Sequence, residues 1–274
     1  MIGLRDAKRI VFKVGTSTLT YENGKTNLRR MSKLACVLAD LANSGKEVVL
    51  VSSGAISVGV GKIGLSAPLK DTPSRQAAAC VGQCELMFLY DKFFSEYGRT
   101  IGQLLITRYD VENAEHRKNL INAFDKMLGY GIIPILNEND SVAVEELAFG
   151  DAESSLAVPA VFGDNDNLSA IVAKLVNADA LVILSDIDGL FSANPHEDET
   201  AQIIPVVEKI DDSHFALAGG AGSARGTGGM FTKLQAAQTA TDAGIDTVIM
   251  NGGNPEEIYK LFDMRHVGTW FKKQ

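Results

Sequence analysis

Long hydrophobic runs are missing from this 274-residue sequence. No run reaches the roughly 18 apolar residues that mark a transmembrane helix. The opening residues, MIGLRDAKRIVFKVG, contain no apolar segment of signal-peptide length. We therefore expect a cytoplasmic protein with no membrane partner.

Positive charge is also scarce. Lys and Arg number 26 against 34 Asp and Glu, which gives a net charge of −8. A surface that binds nucleic acid or anionic lipid through charge alone needs an excess of cations. The composition argues against a nucleic-acid partner, so an anionic ligand has to be held by locally placed cations.

Cysteine and histidine are too few and too scattered for a metal centre. The four histidines fall in no ligand spacing, and the three cysteines are odd in number. Cys80 and Cys84 are spaced to share one helix face, and we expect them and Cys36 to be reduced thiols in the core. No metal-ligating residue is predicted.

Apolar residues make up 46% of the chain, which is ample for a core. Short β-branched runs such as RIVFKV alternate with helical patterns such as LRRMSKLACVLADLAN along the whole length. This alternation predicts an α/β protein in which a mostly parallel sheet is covered by helices on both faces. We expect residues 1–274 to form one domain.

Polar and glycine-rich segments follow the predicted strands, where open α/β sheets bind their ligands. These segments are Lys13–Ser17, Ser52–Ala55, Asn137–Asp140, Ser185–Gly189 and Asn251–Gly253. The sequence therefore predicts a binding site at the carboxyl edge of the sheet.

Two lysines have glycine-rich neighbours that suit an anion. Lys13 ends the first predicted strand beside Gly15, and Lys233 follows the glycine turn of GTGGMFTK at the start of a helix. Glycines let backbone N–H groups converge on a phosphate, although the order of this turn is not that of a P-loop. Alternatively, each lysine is a solvated surface residue.

Acidic residues cluster in the motifs NEND, at 137–140, and GDNDN, at 163–167. Such clusters hold Mg²⁺ with its waters, orient lysines or bind an amino group, and they also occur as plain Asx turns. The G-x-S-x-G and G-x-G-x-x-G motifs are absent, which argues against a serine nucleophile and a dinucleotide site. Cationic loops, carboxylates and no evident base favour phosphoryl transfer to an anionic acceptor such as a carboxylate.

Seven motifs together resemble the glutamate 5-kinase family within the amino acid kinases. In chain order they are VFKVGTSTLT, VVLVSSGAISVG, ILNENDSVAV, GDNDNLSA, LSDIDGLF, GTGGMFTKLQAA and AGIDTVIMNG. Acetylglutamate kinase, aspartokinase, carbamate kinase and uridylate kinase share the fold and the two lysines. NEND followed by GDNDNLSA and GTGGM is similar to the glutamate 5-kinase pattern rather than to theirs.

The resemblance implies a three-layer α/β/α sandwich with an acceptor-binding lobe at about 1–175 and a nucleotide-binding lobe at about 176–274. It implies ATP- and Mg²⁺-dependent phosphorylation of the L-glutamate side chain to L-glutamyl 5-phosphate, the first step of proline synthesis. The implied partners are L-glutamate, ATP, the feedback inhibitor L-proline, glutamyl phosphate reductase as the downstream enzyme, and further copies of the chain in a homo-oligomer.

The family's site residues fall into three sets when its motifs are matched to this sequence. The expected catalytic residues are Lys13, Lys233 and Asp166, the last orienting both lysines. The expected substrate-binding residues are Ser53, Gly54, Asp140 and Asn165. The expected nucleotide-binding residues are Lys13, Ser185, Asp186, Thr227, Gly228, Gly229, Met230 and Lys233.

Two features depart from the family pattern. The segment AESSLAVPAV lengthens the chain between NEND and GDNDN, in the loop expected over the acceptor site, which leaves glutamate affinity and proline inhibition open. The chain ends soon after HVGTWF, so we expect the kinase domain without the PUA domain that many members carry. The alternatives are an amino acid kinase with another acceptor and a nucleotide-binding regulatory protein that has lost catalysis.

Overall fold

A computed structural model describes residues 4–21, 23–65, 69–142, 165–195, 197–218 and 229–274. Eight strands form one sheet: β1 Arg9–Val14, β2 Glu47–Ser52, β3 Ile101–Ile106, β4 Ile133–Glu138, β5 Ala180–Ser185, β6 Val206–Val207, β7 Asp246–Asn251 and β8 Thr269–Phe271. Their order across the sheet is β3-β4-β2-β1-β5-β7-β8-β6. In this order, the six neighbouring strands β3, β4, β2, β1, β5 and β7 are parallel, whereas β8 pairs antiparallel with β7.

Helices connect the strands. They are α1 Thr16–Leu19, α2 Leu28–Asn43, α3 Ala55–Ile63, α4 Thr72–Ser95, α5 Arg108–Glu112, α6 Ala114–Gly129, α7 Asn165–Leu175, α8 Asp212–Leu217, α9 Met230–Thr241 and α10 Tyr259–Phe262, the last preceded by a 3₁₀ turn at Pro255–Ile258. None of these described helices has the length and apolar character needed to cross a bilayer.

Helices cover both faces of the sheet. Because successive side chains of a strand point to opposite faces, one strand contributes residues to both cores. On β1, Ile10, Phe12 and Val14 join the core formed with α2, α3 and α4. Val11 faces the second core, which contains residues of α6, α7 and α9. The predicted α/β/α sandwich with a mostly parallel sheet is confirmed.

The position of β1 in the sheet sets the position of the candidate site. β1 lies between β2 and β5, so that Lys13 is in register with Val51 on one side and Ile183 on the other. The chain leaves β1 toward β2 and later returns to β5 on the opposite side, which makes the carboxyl end of β1 a switch point of the topology. Ligands of open α/β sheets bind in the crevice at such a point.

The three cysteines do not lie where the sequence analysis placed them. Cys80 and Cys84 do share one face of α4, but that face is exposed, and Cys36 is half-buried. The prediction of core thiols is wrong because α4 turns small residues, Ala78, Ala79 and Gly82, toward the interior. All three thiols are free.

Helices α3 and α4 cross at two glycines that allow their backbones to meet. A Cβ atom on Gly59 would lie 1.8 Å from the carbonyl oxygen of Ala78, and one on Gly82 would lie 1.7 Å from that of Ala55. A real Cβ cannot approach so closely, so any side chain at these positions would push the helices apart. Since α3 starts directly after Ser53 and Gly54, this contact also fixes the strand end where a ligand is expected.

Substituting Gly82→Ala should therefore destabilise the fold. We expect the free energy of unfolding to fall by roughly 1–3 kcal/mol, the usual cost of overpacking a core. Urea denaturation measures it. Gly129→Ala is the matched control, because Gly129 is an exposed helical glycine with open space around its Cβ position. Equal stability of the two variants would contradict the close-contact explanation.

Candidate active site

Two lysines and one aspartate form a buried charged cluster at the carboxyl end of β1. Lys13 Nζ lies 2.5 Å from Asp166 Oδ1, and Lys233 Nζ lies 3.1 Å from Asp166 Oδ2. The exposed fractions are 6% for Lys13, 4% for Lys233 and 0% for Asp166. The alternative that these lysines are solvated surface residues is therefore wrong.

The fold explains why these distant residues meet. Lys13 follows Val11 by two residues on β1 and so points to the same face of the sheet, which α7 and α9 cover. Asp166 lies in the first turn of α7, and Lys233 lies in the first turn of α9. The hydroxyl of Thr232 also donates to Asp166 Oδ2 at 3.2 Å, a contact that the sequence analysis did not identify.

The electrostatics of this cluster favour an anionic ligand. Burial by itself raises the pKa of Asp166, but the positive charges and hydrogen bonds of Lys13 and Lys233 outweigh it and hold the pKa below its usual value. Two ammonium groups held away from water attract an anion more strongly than they would in water, so an anion placed beside the lysines is stabilised.

A second polar group lies at the end of β2, on the side of β1 opposite to β5. The Nδ2 atom of Asn165 donates to Ser53 Oγ at 2.8 Å and to Asn137 Oδ1 at 3.0 Å. Asn137 Oδ1 also accepts the Glu138 N–H at 2.9 Å, and Asn137 Nδ2 donates to Gln83 Oε1 at 3.0 Å. This chain of bonds fixes which atom of each amide is the donor.

One acceptor in this group is left over. The Oδ1 atom of Asn165 is buried and has no hydrogen-bond partner among the described residues. A buried polar atom of this kind costs free energy unless a ligand or water donates to it. The strand end therefore offers an acceptor for an N–H or O–H group of a ligand.

Backbone geometry holds Ser53 and Gly54 in place. The Ser53 N–H donates to the Val14 carbonyl at 3.0 Å, which ties the end of β2 to the end of β1. Gly54 has φ +97°, a left-handed conformation that favours glycine, and it precedes the first turn of α3. The two predicted residues are thus positioned beside the start of α1.

Tyr90 on α4 contacts the end of β2, a contact that the sequence analysis did not predict. Its hydroxyl lies 2.9 Å from Ser52 Oγ, and the ring is fully buried. Burial raises the pKa of Tyr90 despite the hydrogen bond from Ser52, so the hydroxyl stays protonated. The only signal in the sequence was an apolar helix face, which does not distinguish a core tyrosine from a supporting one.

Asp140 is buried just after the end of β4. It lies in the turn after β4, where the Asn139 N–H donates to the Ile106 carbonyl at 2.9 Å. Because β2 lies between β4 and β1, Asp140 is about two strand spacings, roughly 10 Å, from the line of β1. It belongs to the side of the site that contains Asn137 and Asn165.

The ends of β5 and β7 form the other side of the site. Ser185 Oγ donates to Asp186 Oδ1 at 3.0 Å, and the Gly252 N–H donates to the Ser185 carbonyl at 2.7 Å. Asn251 Nδ2 donates to Asp188 Oδ1 at 2.8 Å, which links the two strand ends. Parallel pairing of Ser185 with Asn251 explains why these segments meet.

The predicted nucleotide-binding loop is described only from Gly229 onward. Thr227 and Gly228 lie outside the described residues, as do Asp164 and the inserted segment AESSLAVPAV. Gly229 precedes α9 in an extended conformation, and Met230 is the first residue of the helix. Within the described ranges, no group of three or more His, Cys, Asp and Glu side chains is arranged to hold a metal ion.

Comparison with known proteins agrees with the resemblance seen in the sequence. The model of the amino acid kinase family matches residues 8–251. The glutamate 5-kinase of Clostridium perfringens (strain 13 / Type A) is 52% identical over 268 residues, 98% of this chain and 96% of that protein. The glutamate 5-kinase of Listeria monocytogenes serotype 4b (strain CLIP80459) is 51% identical and that of Clostridium tetani 49%, each over 98% of this chain and over 94% and 96% of the relative.

Solved structures of lower identity share the fold. Isopentenyl phosphate kinase of T. acidophilum superposes with a TM-score of 0.64 at 16% identity, over 97% of this chain and 100% of that one. UMP kinase of Bacillus anthracis superposes with a TM-score of 0.61 at 15% identity, over 98% and 97%. The chain belongs to the amino acid kinase family, in its glutamate 5-kinase branch.

Proposed function

We propose that the chain transfers the γ-phosphoryl group of ATP to the side-chain carboxylate of L-glutamate and so makes L-glutamyl 5-phosphate, the first step of proline synthesis. The observation that carries this proposal is the buried cluster in which Asp166 lies between Lys13 and Lys233. Relatives about half identical to this chain are glutamate 5-kinases, which supports the choice of acceptor.

The main difficulty of this reaction is repulsion between two anions. An ionised carboxylate needs no base to attack phosphorus, so catalysis consists of alignment and neutralisation of charge. Lys13 neutralises the γ-phosphoryl group from the end of β1, and Lys233 does so from α9. Asp166 holds both ammonium groups in position before the substrates arrive, so little reorganisation is needed in the transition state.

The acceptor pocket is proposed at the ends of β2 and β4. Asp140 pairs with the α-ammonium group of glutamate, while Ser53 and Gly54 face its carboxylate groups. The Oδ1 atom of Asn165, which has no hydrogen-bond partner among the described residues, supplies a further acceptor for the ammonium group. The bonds that Asn165 Nδ2 donates to Asn137 Oδ1 and Ser53 Oγ hold the amide in that orientation.

The nucleotide is proposed on the other side of β1. Ser185 and Asp186 contact it from the end of β5, and Thr227–Lys233 surrounds its phosphates. Magnesium is proposed to arrive bound to the phosphates of ATP. The described residues contain no group of three or more His, Cys, Asp and Glu side chains that could hold the ion.

This assignment divides the chain at about residue 175 into an acceptor-binding lobe and a nucleotide-binding lobe. It places the reaction in the cytoplasm, where ATP and glutamate are abundant. Feedback inhibition by L-proline, assembly into a homo-oligomer and delivery of the product to glutamyl phosphate reductase complete the proposal. The resemblance to the glutamate 5-kinases is what supports these points.

A panel of acceptors tests the proposed activity. Purified protein is incubated with ATP, Mg²⁺ and L-glutamate, L-aspartate, N-acetylglutamate, carbamate or UMP, and release of ADP is followed. Hydroxylamine traps an acyl phosphate as a hydroxamate. The proposal expects turnover and hydroxamate with L-glutamate. Activity with another acceptor alone would overturn the choice of glutamate, and no turnover with any acceptor would favour a regulatory protein.

Removing either lysine should slow the chemical step. We expect Lys13→Ala and Lys233→Ala to lower kcat by roughly 10²–10³, as for other preorganised donors of charge. Steady-state kinetics with ATP and glutamate measure this. Lys174→Ala is the control, because Lys174 is an exposed lysine on α7. An unchanged kcat with only a higher KM would contradict a catalytic role.

Asp140→Ala should weaken binding of the acceptor more than of the nucleotide. We expect the KM for glutamate to rise while the KM for ATP stays close to its original value, because only glutamate loses an ionic partner. Ser141→Ala is the control, since Ser141 is exposed in the same turn. Equal effects on both KM values would place Asp140 outside the acceptor pocket.

Asp166 should make folding stability depend on pH in the acid range. Because its pKa is lowered in the folded state, its contribution is present above its unfolded pKa, near 3.9, and is lost as pH falls through the folded value. Asp166→Asn should cost roughly 3–5 kcal/mol at pH 7, since two ammonium groups stay buried without their partner. Urea denaturation between pH 7 and pH 3 should show this difference shrinking. A difference that stays constant with pH would contradict the ion pairs.

A further inference from the structure

A cavity of about 460 Å³ lies beside α1, because its lining residue Arg30 contacts the carbonyl oxygens of Ser17 and Thr18. It opens between the first turns of α2 and the loop after β7. Its lining includes Tyr21, Arg29, Arg30, Lys33, Gly253 and Asn254. Gly253 ends the strand-end segment Asn251–Gly253, whereas the three cations lie outside the candidate active site. The volume is in the range of cavities that hold small molecules.

The charge of this cavity is unusual for the protein. Among the residues that the structure describes, three cations and no carboxylate line it, although the chain as a whole carries a net charge of −8. Like charges gathered at one place repel each other, and that cost is removed when an anion binds between them. The arrangement is therefore complementary to a ligand with more than one negative charge.

The contacts that the three cations make within the described residues leave hydrogen-bond donors for an anion. Arg29 forms no ion pair within the part of the chain that the structure describes. Arg30 donates from Nη1 to the carbonyl oxygens of Ser17 and Thr18, both at 3.1 Å, which orients its guanidinium without neutralising it. Lys33 pairs with Glu256 at 3.0 Å on the 3₁₀ turn. Counting the described side chains alone, three positive charges thus face one carboxylate, that of Glu256.

The chemistry of the lining selects the class of ligand. The planar guanidinium group binds carboxylate and phosphate groups through two parallel hydrogen bonds, and a lysine adds a point charge. We propose that this cavity is a second anion site, which binds a small polyanion carrying carboxylate or phosphate groups. It is separate from the reaction centre, and its existence does not depend on which acceptor the enzyme uses.

Isothermal titration calorimetry tests the site in the Lys233→Ala background, which removes a cation of the reaction centre. Inorganic pyrophosphate and citrate are titrated separately, and the probe that binds tells phosphate from carboxylate recognition. We expect one of them to bind with one-site stoichiometry. Adding Arg29→Gln, or separately Lys33→Gln, should weaken that binding at least about tenfold, since each removes a charged hydrogen-bond partner.

Lys25→Gln is the matched control, because Lys25 is an exposed cation of the neighbouring loop that does not line the cavity. It should leave the affinity unchanged. Unfolding midpoints establish that each variant is folded, and Arg29 is an exposed residue whose replacement leaves the core intact. Absence of binding by both probes would overturn the proposal. Equal affinity with and without Arg29 and Lys33 would do the same.

Discussion

The structure depends on one buried ion cluster, in which a carboxylate with no exposed surface lies between two ammonium groups. Taking three charges out of water is costly, and it is tolerated only when their geometry is fixed by the surrounding fold. Here β1 supplies one lysine, α9 supplies the other, and α7 supplies Asp166 between them. The proposed function uses these two ammonium groups to neutralise the phosphoryl group in transfer.

The parallel sheet extends to both sides of that cluster, so the proposed acceptor and nucleotide sites lie on opposite sides of β1. β2 and β4 extend from one side of β1, and β5 and β7 from the other. At the ends of β2 and β4, Ser53 and Asn137 bind the amide group of Asn165 from α7. At the ends of β5 and β7, Ser185 binds the segment after β7. An acceptor and a nucleotide bound at these ends would meet at Lys13, which lies at the boundary.

The sequence pattern predicted many of the strands and helices, but it did not predict every helix or the contacts between distant residues. β1 and α2 occupy the segments that apolar periodicity indicated, and the polar strand ends do share one edge. The helix α3 was missed because its glycines and β-branched residues have low helix propensity, and its contact with α4 at Gly82 compensates. No spacing in the sequence brings Asp166 to Lys233, 67 residues away, so only the family resemblance predicted that pair.

The most direct test of the central claim is a crystal structure with ADP, aluminium fluoride, Mg²⁺ and L-glutamate, which mimics the phosphoryl group in transfer. The account predicts that the Nζ atoms of Lys13 and Lys233 both lie within hydrogen-bond distance, about 2.7–3.2 Å, of the fluoride ligands. Asp166 should keep its contacts with both. A structure in which either lysine points away from the aluminium fluoride group would contradict it.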